Sequence, residues 1–246
     1  SVAGGDELGI LAHWWSMGDL TPTRDLGVDG HPPRATGLPL VDGRPVRMFA
    51  GGTVDRVRPL RTGEWVHVAS DVAAVKETTS KDGRPLSFVE ERYDLSDDDR
   101  VVVRETRSIV YTTPATPTGR RPADDPDTAW SREILPDERM LFRFSALTWN
   151  AHRIHYDLGF ARSDGHPDLV VHGPLLAALL ADLWEGNADT PIRTFSFRAL
   201  APAFAGEAIR LVGGPSGRLA ALDADGGHLM TAVATPAKGG PPWIST

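Results

Sequence analysis

The chain contains no cysteine, which excludes disulfides, thiolate metal sites and a thiolate nucleophile. It also lacks a basic stripe. Its 26 Lys and Arg are interspersed with 33 Asp and Glu, for a formal net charge of −7, so nucleic acid is not an expected partner. Local arginines can still hold an anionic small ligand. The longest apolar run, Leu175–Leu183, is broken by Asp182 and is too short to span a bilayer, so no membrane association is expected. The opening residues SVAGGDELGILAHWW have no basic segment followed by a long apolar one. No signal peptide is therefore expected, and a cytoplasmic protein is the default. With neither an HExxH pattern nor a cysteine pair, no metal site is expected.

What remains is an ordinary soluble composition, 41% hydrophobic and 24% charged. Its 246 residues suffice for one large domain or two small ones, each with a core. Residues 1–112 begin with a short helix-like stretch and a Gly/Pro-rich section from Gly27 to Pro45. Strands are expected at Val66–Val75 and Val101–Tyr111, with a weaker one at Phe88–Leu95. The turn signals Lys81-Asp82-Gly83 and Ser96–Asp99 make them antiparallel neighbours. Residues 113–136 are dense in proline and charge and read as a linker, pinned at its end by Trp130 and Ile134-Leu135.

In residues 137–246, a strand is expected around Met140–Ala146 and a buried helix from Pro174, whose missing N–H suits a first turn. Leu175, Leu176, Leu179, Leu180 and Leu183 form a broad apolar face. Ala177, Ala178 and Ala181 allow a sheet to approach, and Gly186-Asn187 should stop the helix. Strands are expected at Arg193–Leu200, Ala208–Val212, Arg218–Asp223 and His228–Thr235. Pro59–Glu64 and Pro202–Glu207 both read P-x-x-x-G-E between strands, which favours two copies of one α+β unit.

The chemistry concentrates in FRFSALTWNAHRIHYD at 142–157 and VVHGPLLAALLADLW at 170–184. His155 is the central candidate, since imidazole trades protons near neutral pH. Asn150 can orient a water but cannot ionise, and it could equally cap a helix over Ala151–Asp157. His152 should position the loop. Tyr156 and Asp157 should start a short helix, where a carboxylate is favourable. Gly173 offers a backbone N–H at a helix N-terminus, suited to a developing oxyanion. His172 could hold that turn by bonding backbone.

These segments resemble the MaoC-like hotdog dehydratase/hydratase superfamily. More narrowly, they are similar to its mesaconyl-C4-CoA hydratase and type 2 3-hydroxyacyl-thioester dehydratase branch. RMFAGGTVDRVRPLRTGE at 47–64 and FSFRALAPAFAGE at 195–207 extend the likeness. The resemblance implies an α+β double hotdog, each half an antiparallel sheet wrapped around a central helix. Residues 1–112 would bind substrate without a catalytic motif, and 137–246 would carry catalysis. It also implies hydration or dehydration of a 2-enoyl/3-hydroxyacyl thioester. No cofactor is implied beyond the CoA or acyl carrier protein bearing the thioester.

In the (R)-hydratase pattern D-x-N-P-[aliphatic]-H, the aspartate falls at Asn150, the asparagine at His152, the proline at Arg153 and the histidine at His155. The narrower branch, T-[FW]-N-x-H-[RK]-I-H-Y, fits better. The implied catalytic set is His155, Asn150 and the Gly173 amide, supported by His152, Arg153, Tyr156, Asp157 and His172. Arg34, Arg47 and Arg198, with Arg153, are candidates for a substrate carboxylate. A hotdog thioesterase, an enzyme adding a nucleophile other than water, and a non-catalytic thioester-binding module are the competing readings. No Asp or Glu lies between Ala146 and Tyr156 to serve a thioesterase. Related chains commonly pair, so a homodimer stays open.

Overall fold

The computed structural model describes residues 5–18, 20–31, 44, 46–80, 82–98, 100–113 and 126–237. Nine strands form one antiparallel sheet: β1 (Val46–Arg56), β2 (His67–Thr79), β3 (Pro85–Asp97), β4 (Arg100–Thr112), β5 (Trp130–Ile134), β6 (Ile192–Ala199), β7 (Ile209–Gly213), β8 (Arg218–Leu222) and β9 (His228–Pro236). Their order is β2-β3-β4-β1-β6-β9-β8-β7-β5. Three α-helices complete the described fold: α1 (Glu138–Thr148), α2 (Leu158–Ser163) and α3 (Gly173–Glu185). Together these form an α+β double hotdog.

α3 packs into the concave side of the second half's strands. Leu180 and Ala177 are fully buried, as are Phe195 and Ile209 on the facing strands. The alanines expected to admit a sheet do so: Ala177 and Ala181 are buried, and Ala178 packs against the core. The helix stops at Glu185 as expected, although Gly186 keeps a right-handed conformation at φ −83°. Asn187 Nδ2 instead donates to the Leu183 carbonyl.

Among the described residues, the first half has no α-helix, only two 3-10 turns: Thr23–Asp25 and, packed on the sheet, Ala12–Trp15. A buried carboxylate ties it to the sheet. Glu105 on β4 accepts from His13 Nε2 (2.8 Å), Trp14 Nε1 (2.8 Å) and Arg107 Nε and Nη2 (2.7 and 3.0 Å). Burial alone would raise its pKa, but Arg107 and the His13 hydrogen bond outweigh burial and pull the carboxyl down to about 2.

The two halves meet where β1 pairs with β6, Gly51 opposite Arg198 through Asp55 opposite Thr194. A bulge interrupts the β1–β4 register between Phe49 and Gly51. Gly51 sits at φ +152°, and a Cβ there would stand 2.3 Å from the Phe197 carbonyl oxygen, so this close approach needs glycine. The two P-x-x-x-G-E segments adopt matching turns. Gly63 and Gly206 have φ +81° and +79°, and the Glu64 and Glu207 amides bond back to Arg61 and Phe204.

Two expectations about secondary structure are corrected. The linker read at 113–136 contains strand β5, which pairs with β7, so its latter part belongs to the sheet. Residues 114–125 lie outside the described residues. The strand expected around Met140–Ala146 is helix α1. Asp137 caps it by accepting from the Met140 amide at 2.9 Å. Only Leu141 and Phe144 are buried, an i,i+3 pair, while Phe142 and Leu147 face out. Helical period, not alternation, sorts these side chains.

Candidate active site

α1 ends in a left-handed residue, Trp149 at φ 53°, and both it and Asn150 return their amides to the Ser145 carbonyl. Few non-glycine residues adopt this conformation, and it is held here by the Trp149 side chain lying against Gly18. The turn launches the motif. Asn150 Oδ1 accepts from the His152 amide at 3.0 Å, closing an Asx turn. The helix expected over 151–157 is only a 3-10 turn, Arg153–His155, and its N-cap is His152 rather than Asn150. Asp157 caps the next helix, α2, by accepting from the Phe160 amide at 2.9 Å. Tyr156 ends the 3-10 turn, and its hydroxyl donates to the Ala151 carbonyl.

His155 is buried, with 7% of its surface exposed. Its Nδ1 lies 2.7 Å from the Val170 carbonyl oxygen. A carbonyl only accepts, so Nδ1 carries the proton and Nε2 keeps its lone pair. The ring stacks on His172 at 3.6 Å between centroids. Burial pushes His155 down to about 3, and the Val170 bond opposes this only in part, so the ring is neutral at pH 7.

His172 is fully buried and is driven down to about 2, first by burial and then by His155. Its ring does not bond backbone, as the sequence suggested. Nε2 pairs with Ser145 Oγ of α1 at 2.9 Å, because the true helical register of α1 turns Ser145 toward it. Its own carbonyl accepts from the Leu175 and Leu176 amides and so anchors the start of α3.

Gly173 follows as the first residue of α3, with Pro174 behind it. Among the described residues its N–H meets no acceptor. Phe49 of β1 covers it: a Cβ on Gly173 would stand 3.1 Å from Phe49 Cδ1. The site is therefore roofed by the first half and floored by the second.

Two residues that the sequence did not reveal complete the cluster. His31 lies against His152 at 4.0 Å with the rings tilted by 35°, and His152 meets His155 edge-on at 5.4 Å. Asp29 Oδ2 lies 3.1 Å from His31 Nδ1. Both residues fall in a Gly-rich stretch with no periodicity; the Asp-Gly-His spelling is the only local signal. Burial, then His31, lowers His152 to about 3. The His31 hydrogen bond lowers Asp29 to about 2.

Asp29, His31 and His152 bring their donor atoms within 4.8 Å of one another. The two imidazole planes are tilted by 35°, and the His31 Nδ1 side is taken by Asp29. Asp29 and His31 form a carboxylate–imidazole pair, and the three side chains together are spaced as the ligands of an ion could be.

Of the candidate arginines, Arg153 is committed: it pairs with Asp157 at 2.7 Å, donates to the Val28 carbonyl, and lies over the Phe160 ring. Arg198 is exposed on β6. Arg34 lies outside the described residues. Arg47 is half-buried on β1, two residues before Phe49 and so on the same strand face, and its charge contributes to holding His152 neutral. Among the described residues it has no ion pair.

The hydroxyacyl-thioester dehydratase type 2 family model matches residues 11–205. Mesaconyl-C(4)-CoA hydratase of Chloroflexus aurantiacus is 40% identical over 229 residues, covering 91% of this chain and 80% of that protein. The mitochondrial hydroxyacyl-thioester dehydratase type 2 of Schizosaccharomyces pombe is 29% identical over 151 residues, 58% of this chain and 49% of that one. In fold, the chain is similar to HtdX from Mycobacterium tuberculosis, with a TM-score of 0.62 at 17% identity, covering 78% and 77% of the two chains. A MaoC-like dehydratase from Phytophthora capsici gives 0.59 at 16% identity over 79% and 72%. With the family match spanning most of its length and a relative at 40% identity, the chain belongs to the hydroxyacyl-thioester dehydratase type 2 family of MaoC-like hotdog enzymes.

Proposed function

We propose that the chain catalyses the reversible hydration of a 2-enoyl-CoA that carries a second, free carboxylate, the class to which a mesaconyl thioester belongs. The observation that carries this reading is the His155–Val170 bond, which fixes a neutral imidazole with its Nε2 lone pair free. His155 Nε2 takes a proton from water as the water oxygen bonds the β-carbon. Asn150 holds that water. Negative charge moves through the conjugated system to the thioester oxygen, where the Gly173 N–H and the positive end of α3 receive it. A proton then reaches the α-carbon, and dehydration is the reverse. The thioester oxygen is directed at the α3 N-terminus beside Phe49, and the carrier is CoA, as in the C. aurantiacus relative's name.

A thioesterase would need a carboxylate at the carbonyl. Asp157 caps α2, Asp164 lies 3.6 Å from His166, Asp168 accepts from the Leu169 amide and Asp182 pairs with Arg132, while Asp29, the carboxylate that reaches the cluster, is held on His31. Incubation with crotonyl- and mesaconyl-CoA, following enoyl absorbance and free thiol together, tests the reading. The enoyl band is expected to fall with no thiol release; thiol release with the band intact would overturn it.

Arg47 is the cation for the free carboxylate. A hydrogen bond to a charged group contributes about 1.5–3 kcal/mol. Arg47→Ala should therefore raise KM for the dicarboxylic substrate by roughly 10–100-fold, with crotonyl-CoA affected only a few-fold, as steady-state kinetics on both substrates will show.

A further inference from the structure

The motif has an amide at position 150, so it cannot itself divide acid and base work between a carboxylate and His155. A carboxylate reaches the cluster from the first half instead. Residues 27–31 fold into a hook: the Gly27 amide bonds the His31 carbonyl at 2.7 Å, and the Gly30 amide bonds the Gly27 carbonyl at 2.9 Å. The hook is fastened to the motif, with the Arg153 amide donating to the Asp29 carbonyl at 2.8 Å and its guanidinium donating to the Val28 carbonyl at 3.0 Å. Gly30 lies at φ +85°, and a Cβ there would stand 1.8 Å from the Ala151 carbonyl oxygen. Only glycine lets the hook dock this closely.

Docking sets His31 on His152, and Asp29 grips His31 twice: Oδ1 accepts from its amide at 3.0 Å and Oδ2 lies 3.1 Å from Nδ1. His31, His152, His155 and His172 thus form a file of four rings, with centroid separations of 4.0, 5.4 and 3.6 Å. One end of the file carries a carboxylate and the other a serine hydroxyl. The inner three rings are buried or nearly so, while the His31 side chain keeps 21% of its surface exposed.

We propose that Asp29 and His31 are the second proton-handling pair of this site, His31 donating to the α-carbon while His155 deprotonates water. This rests on the hydratase reading above. In hydration, an O–H bond of water breaks and its proton goes to His155 Nε2 as the oxygen joins the β-carbon. The alkene pair, carried to the thioester oxygen as an enolate, then forms the α C–H bond with the proton from His31 Nε2. The proton left on His155 is given up to water as product leaves, and His31 is reprotonated from solvent at its exposed edge, which restores both rings. Asp29 is a positioning residue: it fixes the His31 tautomer and balances the charge of its protonated ring.

The groups bearing on His31 are Asp29 on its own segment and His152 and His155 from the motif. Arg47 of β1 acts on His152, and His166, beyond α2, acts on His152 and His155, the rings that His31 faces.

The test is the pH profile of kcat for His31→Gln and Asp29→Asn, on whichever enoyl thioester the unaltered enzyme hydrates. Loss of one acid–base partner removes about 10²-fold in rate, so His31→Gln should fall by roughly that factor in kcat. KM should stay within about threefold, and the alkaline decline of the unaltered enzyme should be gone. Asp29→Asn should lower kcat with KM unchanged and keep the alkaline limb, since the ring remains but the carboxylate no longer fixes its tautomer. A His31→Gln enzyme with unaltered kcat, or with kcat and KM both impaired and the alkaline limb intact, would overturn the proposal. If His31→Gln melts early, Asp29→Asn alone decides it by whether kcat falls at constant KM. An unaltered enzyme that hydrates nothing would remove the hydratase reading itself, an outcome distinct from either variant's behaviour.

Discussion

His155→Ala should lose about 10²–10⁴-fold in kcat, the range expected when a positioned general base is removed. The loss should fall on kcat far more than on KM, because the ring acts on a proton in transit and not on the bound acyl chain. Removing the ring also leaves the Val170 carbonyl without its donor and His172 without its stacking partner. His155→Gln is therefore the companion variant. Its amide can still donate to Val170 while offering no basic nitrogen. Both variants should bind a thioester with nearly unchanged affinity by calorimetry and turn it over equally poorly. If His155→Gln retains more than a tenth of the original kcat, the ring does not move the proton.

The other large effect is on stability. Glu105→Gln should destabilise the fold by about 3–5 kcal/mol, the usual result of breaking one side of a buried charge pair. The carboxylate is fully buried beneath Arg107, His13 and Trp14, and the glutamine amide cannot accept from all of them. Urea unfolding at pH 7 measures this directly.

The pH dependence carries a second signature. The folded carboxyl titrates near 2 against 4.5 as its ordinary value, so its stabilisation is complete above pH ~4.5 and is lost as pH falls toward 2. His152, His155 and His172 act earlier. Their folded pKa values of about 3, 3 and 2 lie below the ordinary 6.5. The unfolded chain therefore gains protons that the native chain refuses, and stability declines from pH ~6.5 downward. Glu105→Gln should retain the decline that begins near pH 6.5 and, below pH 4.5, descend less steeply than the unaltered protein by one proton's slope. An identical profile in both proteins would show that Glu105 does not carry the acid-labile charge.

How much of this was visible in the residues depends on the range of the interaction. α3 was legible because Leu175, Leu176, Leu179, Leu180 and Leu183 declare one face within one helix. The motif was legible for the same reason: Asn150, His152 and His155 act within six positions. α1 was misread as a strand because Met140, Leu141, Phe142, Phe144 and Leu147 are dense enough to satisfy either period. The cap at Asp137 was the deciding signal.

Glu105 and Arg107 share one face of β4 with Val103 and Ile109, so the sequence did carry an inward-pointing charged pair. Its partners, His13 and Trp14, lie some 90 positions away, beyond any local pattern. Asp29 and His31 were hidden likewise, since their proximity to His152 depends on the first half's hook docking across the chain.

The junction of β1 with β6 has a consequence for how the molecule comes apart. Because the strands of both halves share a single hydrogen-bonded ladder, prising the halves apart would strip two inner strands at once and leave raw β edges prone to sticking. Melting should accordingly register as one calorimetric peak in place of two, with aggregation close behind it. The enzyme is dismantled as a unit or not at all.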